Sequence, residues 1–349
     1  MNKMLKGAGI CVLVVLLTFA LFAGNVFAQQ NELLDTNIQQ TADYIYGLLE
    51  GNVSAYDGSS ILDLIRAGKD CSGLAGELKA ADWSGLTFAQ TAINALAVQK
   101  AGGEAEFPVF TSETDLSSEN PYTLCALLKA LPADATELKQ AIISALKAYY
   151  DAGSGNGFNY WGFSVDTNGV FIGALAPYAD EDTEIASMIT DALSYIDKVA
   201  SDTGYGYDEQ YFEANADSTA AALTAFAAAG DEAKAQDAYE KLMAFASSAE
   251  PGAFEYAGSP SAYATSDAFR GMLDYSEMVT NSPDPTEEPT SVPATSAPAT
   301  PTPGATKVPN PETGFYFFTN GTAVYVAAIF ACAVTVFMVR SRKKSTCQR

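Results

Sequence analysis

The sequence contains no histidine at all, and this absence excludes several kinds of catalytic site. Ser-His-Asp and Cys-His arrangements need an imidazole as general base, and most zinc sites use at least one imidazole ligand. Cysteine is also scarce, because Cys71 and Cys125 are the only two of the five outside the terminal segments. Cys125 lies in an apolar pattern of helical spacing, which predicts a buried thiol rather than a disulfide or a metal ligand. We expect no metal and no cofactor.

Basic residues are few between the two ends of the chain. All 42 acidic residues but only 12 of the 19 basic ones lie in residues 29–313, so this segment carries a net charge of −30. Such a charge argues against binding to nucleic acid or to an anionic membrane surface. It is typical of a soluble extracellular domain.

The first 28 residues have the three parts of a secretory signal peptide. Lys3 and Lys6 precede an apolar run over residues 10–23, and small residues follow at Val26 and Ala28. The run is short for a membrane span and ends in residues that suit signal peptidase. The pattern predicts cleavage between Ala28 and Gln29, so that the rest of the chain is exported.

The C-terminal part of the sequence predicts a stalk and a membrane anchor. Residues 281–309 are rich in Pro, Thr and Ser and have almost no apolar bulk, which indicates a disordered, extended spacer. Residues 315–339 form an apolar transmembrane segment, and residues 340–349 form a basic tail. Basic residues directly after a span stay cytoplasmic, so this order places the preceding domain outside the cell.

A five-residue motif separates the stalk from the span: Asn310, Pro311, Glu312, Thr313 and Gly314. Together with the span and the basic tail it resembles the sortase sorting signal of Gram-positive bacteria, Leu-Pro-any-Thr-Gly. The resemblance implies that a sortase cleaves after Thr313 and joins this residue to peptidoglycan. Asn310 departs from the usual Leu, which leaves the sortase class open. The alternative is a plain single-pass membrane protein.

Residues 29–280 show helical periodicity and almost no strand signals. Amphipathic segments alternate with segments rich in small residues and apolar on several sides, at a period of about 35 to 50 residues. The second kind starts at a Ser, Thr or Asp suited to cap a helix: Thr91, Thr123, Asp166, Asp217 and Ser266. The pattern predicts an all-α array of about six helical hairpins. It closes into an α/α toroid or stays open as a solenoid.

These inner segments, and the Gly-aromatic turns before them, resemble the terpenoid cyclase and protein prenyltransferase α/α toroid superfamily, in its extracellular bacterial branch. The turns are Gly157-Phe158, Gly204-Tyr205 and Gly252-Ala253-Phe254. The catalytic apparatus of that superfamily does not carry over, because the zinc ligands include His and the cyclase motif Asp-any-Asp-Asp is missing. The nearest acidic string, residues 180–183, is predicted to be a solvated turn that caps the following helix.

Two clusters are candidate binding sites. Asp208, Glu209, Glu213 and Asp217 alternate with aromatic residues, and a second aromatic segment leads into Asp166. The candidate binding residues are Tyr160, Trp161, Phe163, Tyr205, Tyr207, Tyr211 and Phe212. Aromatic faces beside acids suit sugar rings, and the acids also suit calcium. The alternatives are surface decoration, with Asp217 as a helix cap, and an aromatic plug at the end of the toroid.

The sequence therefore predicts a cell-wall-anchored surface protein whose toroid binds an extracellular ligand without catalysis. The expected ligand is a protein, a glycan or an apolar small molecule, and a resemblance of the fold to transcobalamin-like proteins adds a corrinoid. The competing functions are a carbohydrate-active enzyme, because other α/α toroids are glycosidases or lyases, and a structural spacer. Two carboxylates that converge in one aromatic cleft favour the enzyme.

Overall fold

The computed structural model describes residues 31–281 of the 349-residue chain. The predicted signal peptide, sorting signal, transmembrane segment and basic tail lie outside the described residues, as does the stalk beyond Asn281. Among the residues that are described, no helix is long and apolar enough to cross a membrane.

The described part is mostly helical, as the periodicity predicts. The eleven α-helices in residues 31–281 are α1 (31–49), α2 (Gly58–Arg66), α3 (Ser72–Ala80), α4 (Phe88–Lys100), α5 (Pro121–Ala130), α6 (Thr136–Lys147), α7 (Val165–Leu175), α8 (Thr183–Lys198), α9 (Ala216–Ala228), α10 (Glu232–Leu242) and α11 (Ala262–Asn281). Two short antiparallel hairpins join β1 (Ala200–Ser201) to β2 (Gly204–Tyr205) and β3 (Phe254–Tyr256) to β4 (Ser259–Ser261).

Six helices contact one another in a cyclic order. The sequence of neighbours is α2, α4, α5, α7, α9 and α11, and α11 then contacts α2. Helices α7 and α9 are buried on nearly every side, which is why their sequences are apolar around the whole circumference. We call these six the inner helices.

The other helices pack outside the inner ones. Helix α3 contacts α4, α6 contacts α5, α8 contacts α7, and α10 contacts α9. Helix α1 contacts α10, the last of these four helices in the sequence, because the Asn37 amide donates to the Tyr239 hydroxyl of α10 at 2.8 Å. Within the described residues, the 101–120 connection between α4 and α5 contains no helix, so five outer helices accompany six inner ones.

The Gly-aromatic turns are fixed by one repeated contact. In each turn the backbone N–H of the aromatic residue donates to a buried side chain of the next inner helix. The three pairs are Phe158 to Asn168 at 2.9 Å, Tyr205 to Thr219 at 3.0 Å and Phe254 to Thr265 at 2.9 Å. Buried polar groups are normally hydrogen-bonded, so this bond holds each turn against the inner helix that follows it.

The inner helices begin earlier than the sequence predicts. Ser164 and Asn215 are the N-caps of α7 and α9, and their side chains accept from Thr167 N and Ser218 N. The prediction that Asp217 caps a helix is wrong, and so is the prediction that a helix begins with Asp166 as its cap. Both acids stand instead at the second helical position. The predicted starts Thr91, Thr123 and Ser266 also lie inside α4, α5 and α11.

Two local predictions are confirmed. Cys125 is a buried free thiol, as its apolar pattern predicts, and Cys71, for which no such prediction is made, is buried and free as well. Asp182, from the acidic string before α8, caps that helix by accepting from Glu184 N and Ile185 N. The string is therefore explained by helix capping.

Candidate functional site

The inner helices line a cavity of about 730 Å³ that is partly open to solvent. All six of them contribute side chains to its wall, so residues far apart in the sequence meet there. A cavity of this size is in the usual range for small-molecule sites. Among its lining residues, Asp166 and Asp267 lie in the first two turns of α7 and α11, whereas Arg66, Lys100 and Lys129 lie at the C-terminal ends of α2, α4 and α5. Glu277, near the C-terminal end of α11, pairs with Arg66 at 2.9 Å.

Carboxylates gather at the N-terminal end of the cavity. Asp166 of α7 and Asp267 of α11 line the wall, and Tyr122 of α5 lies beside them with its hydroxyl 2.9 Å from the Thr167 hydroxyl. Asp217 of α9 is near enough to interact with both acids through its charge. We call Asp166, Asp217 and Asp267 the acidic end.

The acidic end holds its protons more tightly than carboxyl groups in water. Burial, with the charges of Asp267 and Asp217, raises the pKa of Asp166 to about 7, although the nearby Ser218 hydroxyl opposes this. Burial and the charge of Asp267 raise the pKa of Asp217 to about 6. The pKa of Asp267 is raised by burial, although Arg270 opposes this. Carboxyl groups with a pKa near neutrality can hold or release a proton at physiological pH.

One carboxylate oxygen of the acidic end has no hydrogen-bond partner. Asp217 Oδ1 is buried and accepts no hydrogen bond within residues 31–281, whereas the Asp166 carboxyl group has the Ser218 hydroxyl as a neighbouring donor. Buried polar atoms are normally paired, and each unpaired one costs about 1–3 kcal/mol. Burial of Asp217 Oδ1 without a donor therefore lowers the stability of the folded state.

Basic side chains gather at the opposite end. Arg66 ends α2, Lys100 ends α4, and Lys129 lies in the last turn of α5. Asp274 of α11 binds both Arg66 and Lys129, with each shortest N–O distance at 2.7 Å. Lys100 donates to the Ala130 carbonyl at 3.0 Å. We call Arg66, Lys100 and Lys129 the basic end.

The two ends are separated by about two helical turns. Tyr122 and Lys129 stand seven residues apart on α5, which corresponds to roughly 10 Å along the axis. Between the ends, Asp63 of α2 pairs with Arg270 of α11 at 3.2 Å. Both arginines of the described part thus face the cavity, although the chain as a whole is strongly acidic.

A row of aromatic rings connects the acidic end to the surface. Tyr122 packs against Tyr160 with 5.8 Å between ring centroids, and Tyr160 stacks on Trp161 at 4.5 Å. Trp161 is 90% exposed. We call Tyr122, Tyr160 and Trp161 the aromatic path.

The backbone of Trp161 is held in an uncommon conformation. Its φ angle is +59°, and the next residue, Gly162, has a φ of +121°. A side chain in the left-handed region costs of order 1 kcal/mol, and such residues concentrate at functional sites. The turn therefore presents an exposed indole at an energetic cost.

The other predicted binding residues have different surroundings. Tyr207 is exposed, and its carbonyl accepts from Val165 N at 2.8 Å, which ties its turn to the start of α7. Tyr211 and Phe212 are also exposed in this turn. Phe163 is half-buried against Tyr195. The prediction that Tyr205 binds a ligand is wrong. Tyr205 lies in the hydrophobic core with 3% exposure and cannot contact a ligand.

The acidic cluster predicted around Asp208 does not form a site. Asp208 accepts from Gln210 N and Tyr211 N within its own turn, and Glu209 and Glu213 are exposed. Asp217 alone of this cluster belongs to the acidic end.

Most of the cavity residues are missing from the candidates that the sequence suggests. Asp166 is predicted only as a helix start, and Tyr122, Asp267, Arg66 and Lys129 are not among the predicted site residues. The available signal is a charged residue inside a helix whose other faces are apolar, as in the α7 sequence VDTNGVFIGAL. Such a residue must face an internal polar space.

No protein-family model matches the chain, and a search of the curated proteins found no similar sequence. The function is therefore inferred from the cavity and from the terminal sequence patterns.

Proposed function

We propose that the chain is an exported protein anchored to the cell wall by its C-terminus. The order of signal peptide, domain, stalk, sorting motif, apolar span and basic tail supports this. The partners during processing are signal peptidase and a sortase, and peptidoglycan is attached through Thr313. The ectodomain stays outside the cell.

Anchoring can be tested at the scissile residue. In a host with a sortase that reads this motif, Thr313→Ala is expected to abolish covalent attachment, because it removes the threonine side chain of the motif at the residue whose carbonyl forms the acyl-enzyme. The measurement is release of the protein from boiled, detergent-extracted walls by a muramidase. Thr302→Ala in the stalk is the matched control and should leave attachment unchanged. Equal release of both variants contradicts the anchor.

The folded domain is proposed to be an α/α toroid. The cyclic order of contacts among the inner helices supports closure, since α11 contacts α2 after α9. The outer helices add to this support, because α1 bonds to α10 across the ends of the series. In such a toroid the inner helices run parallel, which accounts for Arg66, Lys100 and Lys129, each near the C-terminal end of its helix, gathering at one end of the cavity.

The toroid is proposed to bind a small saccharide in its cavity. The observation that carries this proposal is the aromatic path, which leads from an exposed indole to Tyr122 in the cavity wall, which Asp166 and Asp267 also line. Aromatic faces pack on the apolar faces of sugar rings, and carboxylates accept hydrogen bonds from sugar hydroxyls. A protein partner fits less well, because these carboxyl groups are inside.

A ligand screen tests the site. A bound saccharide is expected to raise the melting temperature of the full-length protein, purified in a detergent without sugar groups. Trp161→Ala should weaken the affinity at least tenfold, because the indole provides the outer stacking face. Tyr256→Ala removes another exposed aromatic residue, which forms no ring pair with the path, and should change the affinity less than twofold. No shift with any saccharide contradicts the proposal and favours a spacer.

Catalysis is a second candidate function. Asp166 and Asp217 are neighbouring carboxyl groups with pKa values of about 7 and 6, which suits a general acid beside a carboxylate. New reducing ends during incubation with a bound oligosaccharide, lost in Asp166→Asn, would favour an enzyme. An unchanged oligosaccharide favours binding alone.

A further inference from the structure

We propose that exposed aromatic rings beside the cavity extend the saccharide site across the surface, so that the ligand is an uncharged polysaccharide. This inference rests on the proposed saccharide site and names the class of its ligand. The rings are those of Trp161, Tyr207, Tyr211 and Phe212, which we call the aromatic surface. They belong to two segments of the chain, residues 148–164 before α7 and residues 199–215 before α9.

Two contacts hold the turns of these segments side by side. Val165 N, directly after the first segment, donates to the Tyr207 carbonyl of the second at 2.8 Å. The Tyr195 hydroxyl of α8 donates to the Phe163 carbonyl of the first segment at 3.0 Å. The backbone of Glu209, in the second segment, lies beside the same hydroxyl. The two turns are therefore neighbours, and their rings belong to one surface.

The second turn is closed by its own backbone. Tyr207 N donates to the Tyr211 carbonyl at 2.8 Å. A Cβ at Gly206 would lie 2.5 Å from the Phe212 backbone, so the chain packs against itself at a distance that only glycine allows. Tyr211 is nevertheless 70% exposed and Phe212 66% exposed. An ordered backbone that presents exposed rings reduces the entropic cost of binding.

The composition of the surface favours a sugar polymer over a protein partner. Every exposed large apolar side chain of the two segments is aromatic. Protein interfaces are enriched in Met and Arg as well as in aromatic residues, and neither Met nor Arg occurs in these segments. Asp208 Oδ1 already accepts from two backbone N–H groups of its own turn at 2.7 Å, which weakens its attraction for a basic side chain. Trp161 also belongs to the aromatic path, so the surface continues into the proposed saccharide site.

The charges of the surface exclude an acidic polysaccharide. The two segments contain five acidic residues and neither Lys nor Arg. Lys198, the cation directly before the second segment, donates to Asn156 Oδ1 at 2.9 Å. A uronate or sulfate group on the aromatic surface would meet carboxylates without a neighbouring base and be repelled. Stacking on the rings needs no charge, so an uncharged polymer fits best.

The dependence of affinity on chain length tests the inference. Isothermal titration calorimetry on the full-length protein, in a detergent without sugar groups, compares the disaccharide and the hexasaccharide of three uncharged series. These are cello-, manno- and N-acetylchito-oligosaccharides. A disaccharide can fill the cavity end of the aromatic path, whereas a hexasaccharide also reaches the aromatic surface. In a series that binds, we expect the hexasaccharide to bind at least tenfold more tightly than the disaccharide. Hexagalacturonate should bind at least tenfold more weakly than that hexasaccharide.

Three variants link this preference to the aromatic surface. The double variant Tyr211→Ala/Phe212→Ala should lower the hexasaccharide affinity at least fivefold and reduce the preference over the disaccharide to less than threefold. Trp161→Ala should instead weaken the binding of both lengths, because both use the aromatic path. Tyr256→Ala removes an exposed aromatic residue outside the two segments and should leave the preference unchanged. Circular dichroism verifies that the variants are folded.

The possible results separate the inference from the proposed function. Equal affinity for both lengths, in every series that binds, overturns the aromatic surface and leaves the cavity site standing. Hexagalacturonate that binds as tightly as the uncharged hexasaccharide overturns the selection by charge. Hexa-arginine that binds as tightly, and no longer does so in the double variant, overturns the polysaccharide in favour of a basic peptide. Failure of every saccharide, short or long, overturns the proposed function itself.

Discussion

Asp274→Asn is expected to lower the free energy of unfolding by about 3 kcal/mol, and the melting temperature by about 10 °C. Asp274 is 9% exposed and is the shared partner of Arg66 and Lys129, so it joins α11 to both α2 and α5. An amide in its place leaves Lys129 without a carboxylate partner among the ion pairs of the described residues, while Arg66 keeps Asp63 and Glu277. Removing one partner of a buried ion pair is far more costly than removing a surface pair.

The pH dependence of this contribution has a defined sign. Burial opposes ionisation of Asp274, but Lys129 and Arg66 outweigh it and hold the pKa below the usual range. The stabilisation is therefore present above the unfolded pKa and is lost as the pH falls through the folded pKa. Wild type and Asp274→Asn should differ at neutral pH and converge in strong acid.

Asp197→Asn is the matched control for this variant. Asp197 binds Lys234 at 2.7 Å on the surface, with both side chains more than 40% exposed. Exposed pairs contribute little, so the expected change is below about 0.5 kcal/mol. Urea unfolding of the three proteins at pH 7 gives the comparison. Equal effects of the two substitutions contradict the role of Asp274 in joining α11 to α2 and α5.

Asp166→Asn is expected to have the opposite effect and to stabilise the protein by about 2 kcal/mol at about pH 8. Its melting temperature should rise by about 5 °C. The reason is that the folded state keeps a buried carboxylate beside Asp217 and Asp267, whereas the unfolded chain exposes it to water. A neutral amide of the same size avoids that cost.

The contribution of Asp166 to stability depends on pH with the opposite sign to that of Asp274. The folded pKa of Asp166 is about 7 against an ordinary value of 3.8, so the folded state binds the proton more tightly. Stability from this group is present at low pH and is lost as the pH rises through about 7. The gain in Asp166→Asn should therefore disappear near pH 4. A gain of equal size at both pH values would point to packing rather than charge.

Stability and binding are thus opposed at the acidic end. Asp166→Asn is expected to make the protein more stable and to remove a carboxylate from the wall of the proposed binding cavity. A group that lowers stability and is nevertheless kept at a cavity wall is typical of a functional site. The same reasoning applies to the positive φ of Trp161.

The helical class could be predicted from the sequence because helices are specified locally. The 3.6-residue periodicity and the small residues of α9, for example, predict a helix buried on several sides. The predicted starts differ from the observed ones by a few residues, because Ser164 and Asp166 are both good capping residues and only the backbone geometry decides between them.

The cavity could not be predicted in the same way. It depends on contacts between Asp63 and Arg270 or between Arg66 and Asp274, which are about 200 residues apart in the sequence. Periodicity gives the buried face of each helix but not which helices meet. Tyr205 shows the same limit, since its aromatic neighbours make it a candidate and only the packing against Phe226 shows it to be core.

Filling the cavity shows whether the ligand binds inside it. Val170 on α7 and Ala126 on α5 both line the wall, and Val170→Trp and Ala126→Trp each place an indole in it. The measurement is the affinity of each folded variant for the saccharide found in the screen. We expect at least a tenfold loss of affinity in both variants. Wild-type affinity in both would contradict a site in the cavity and place it on the outer surface.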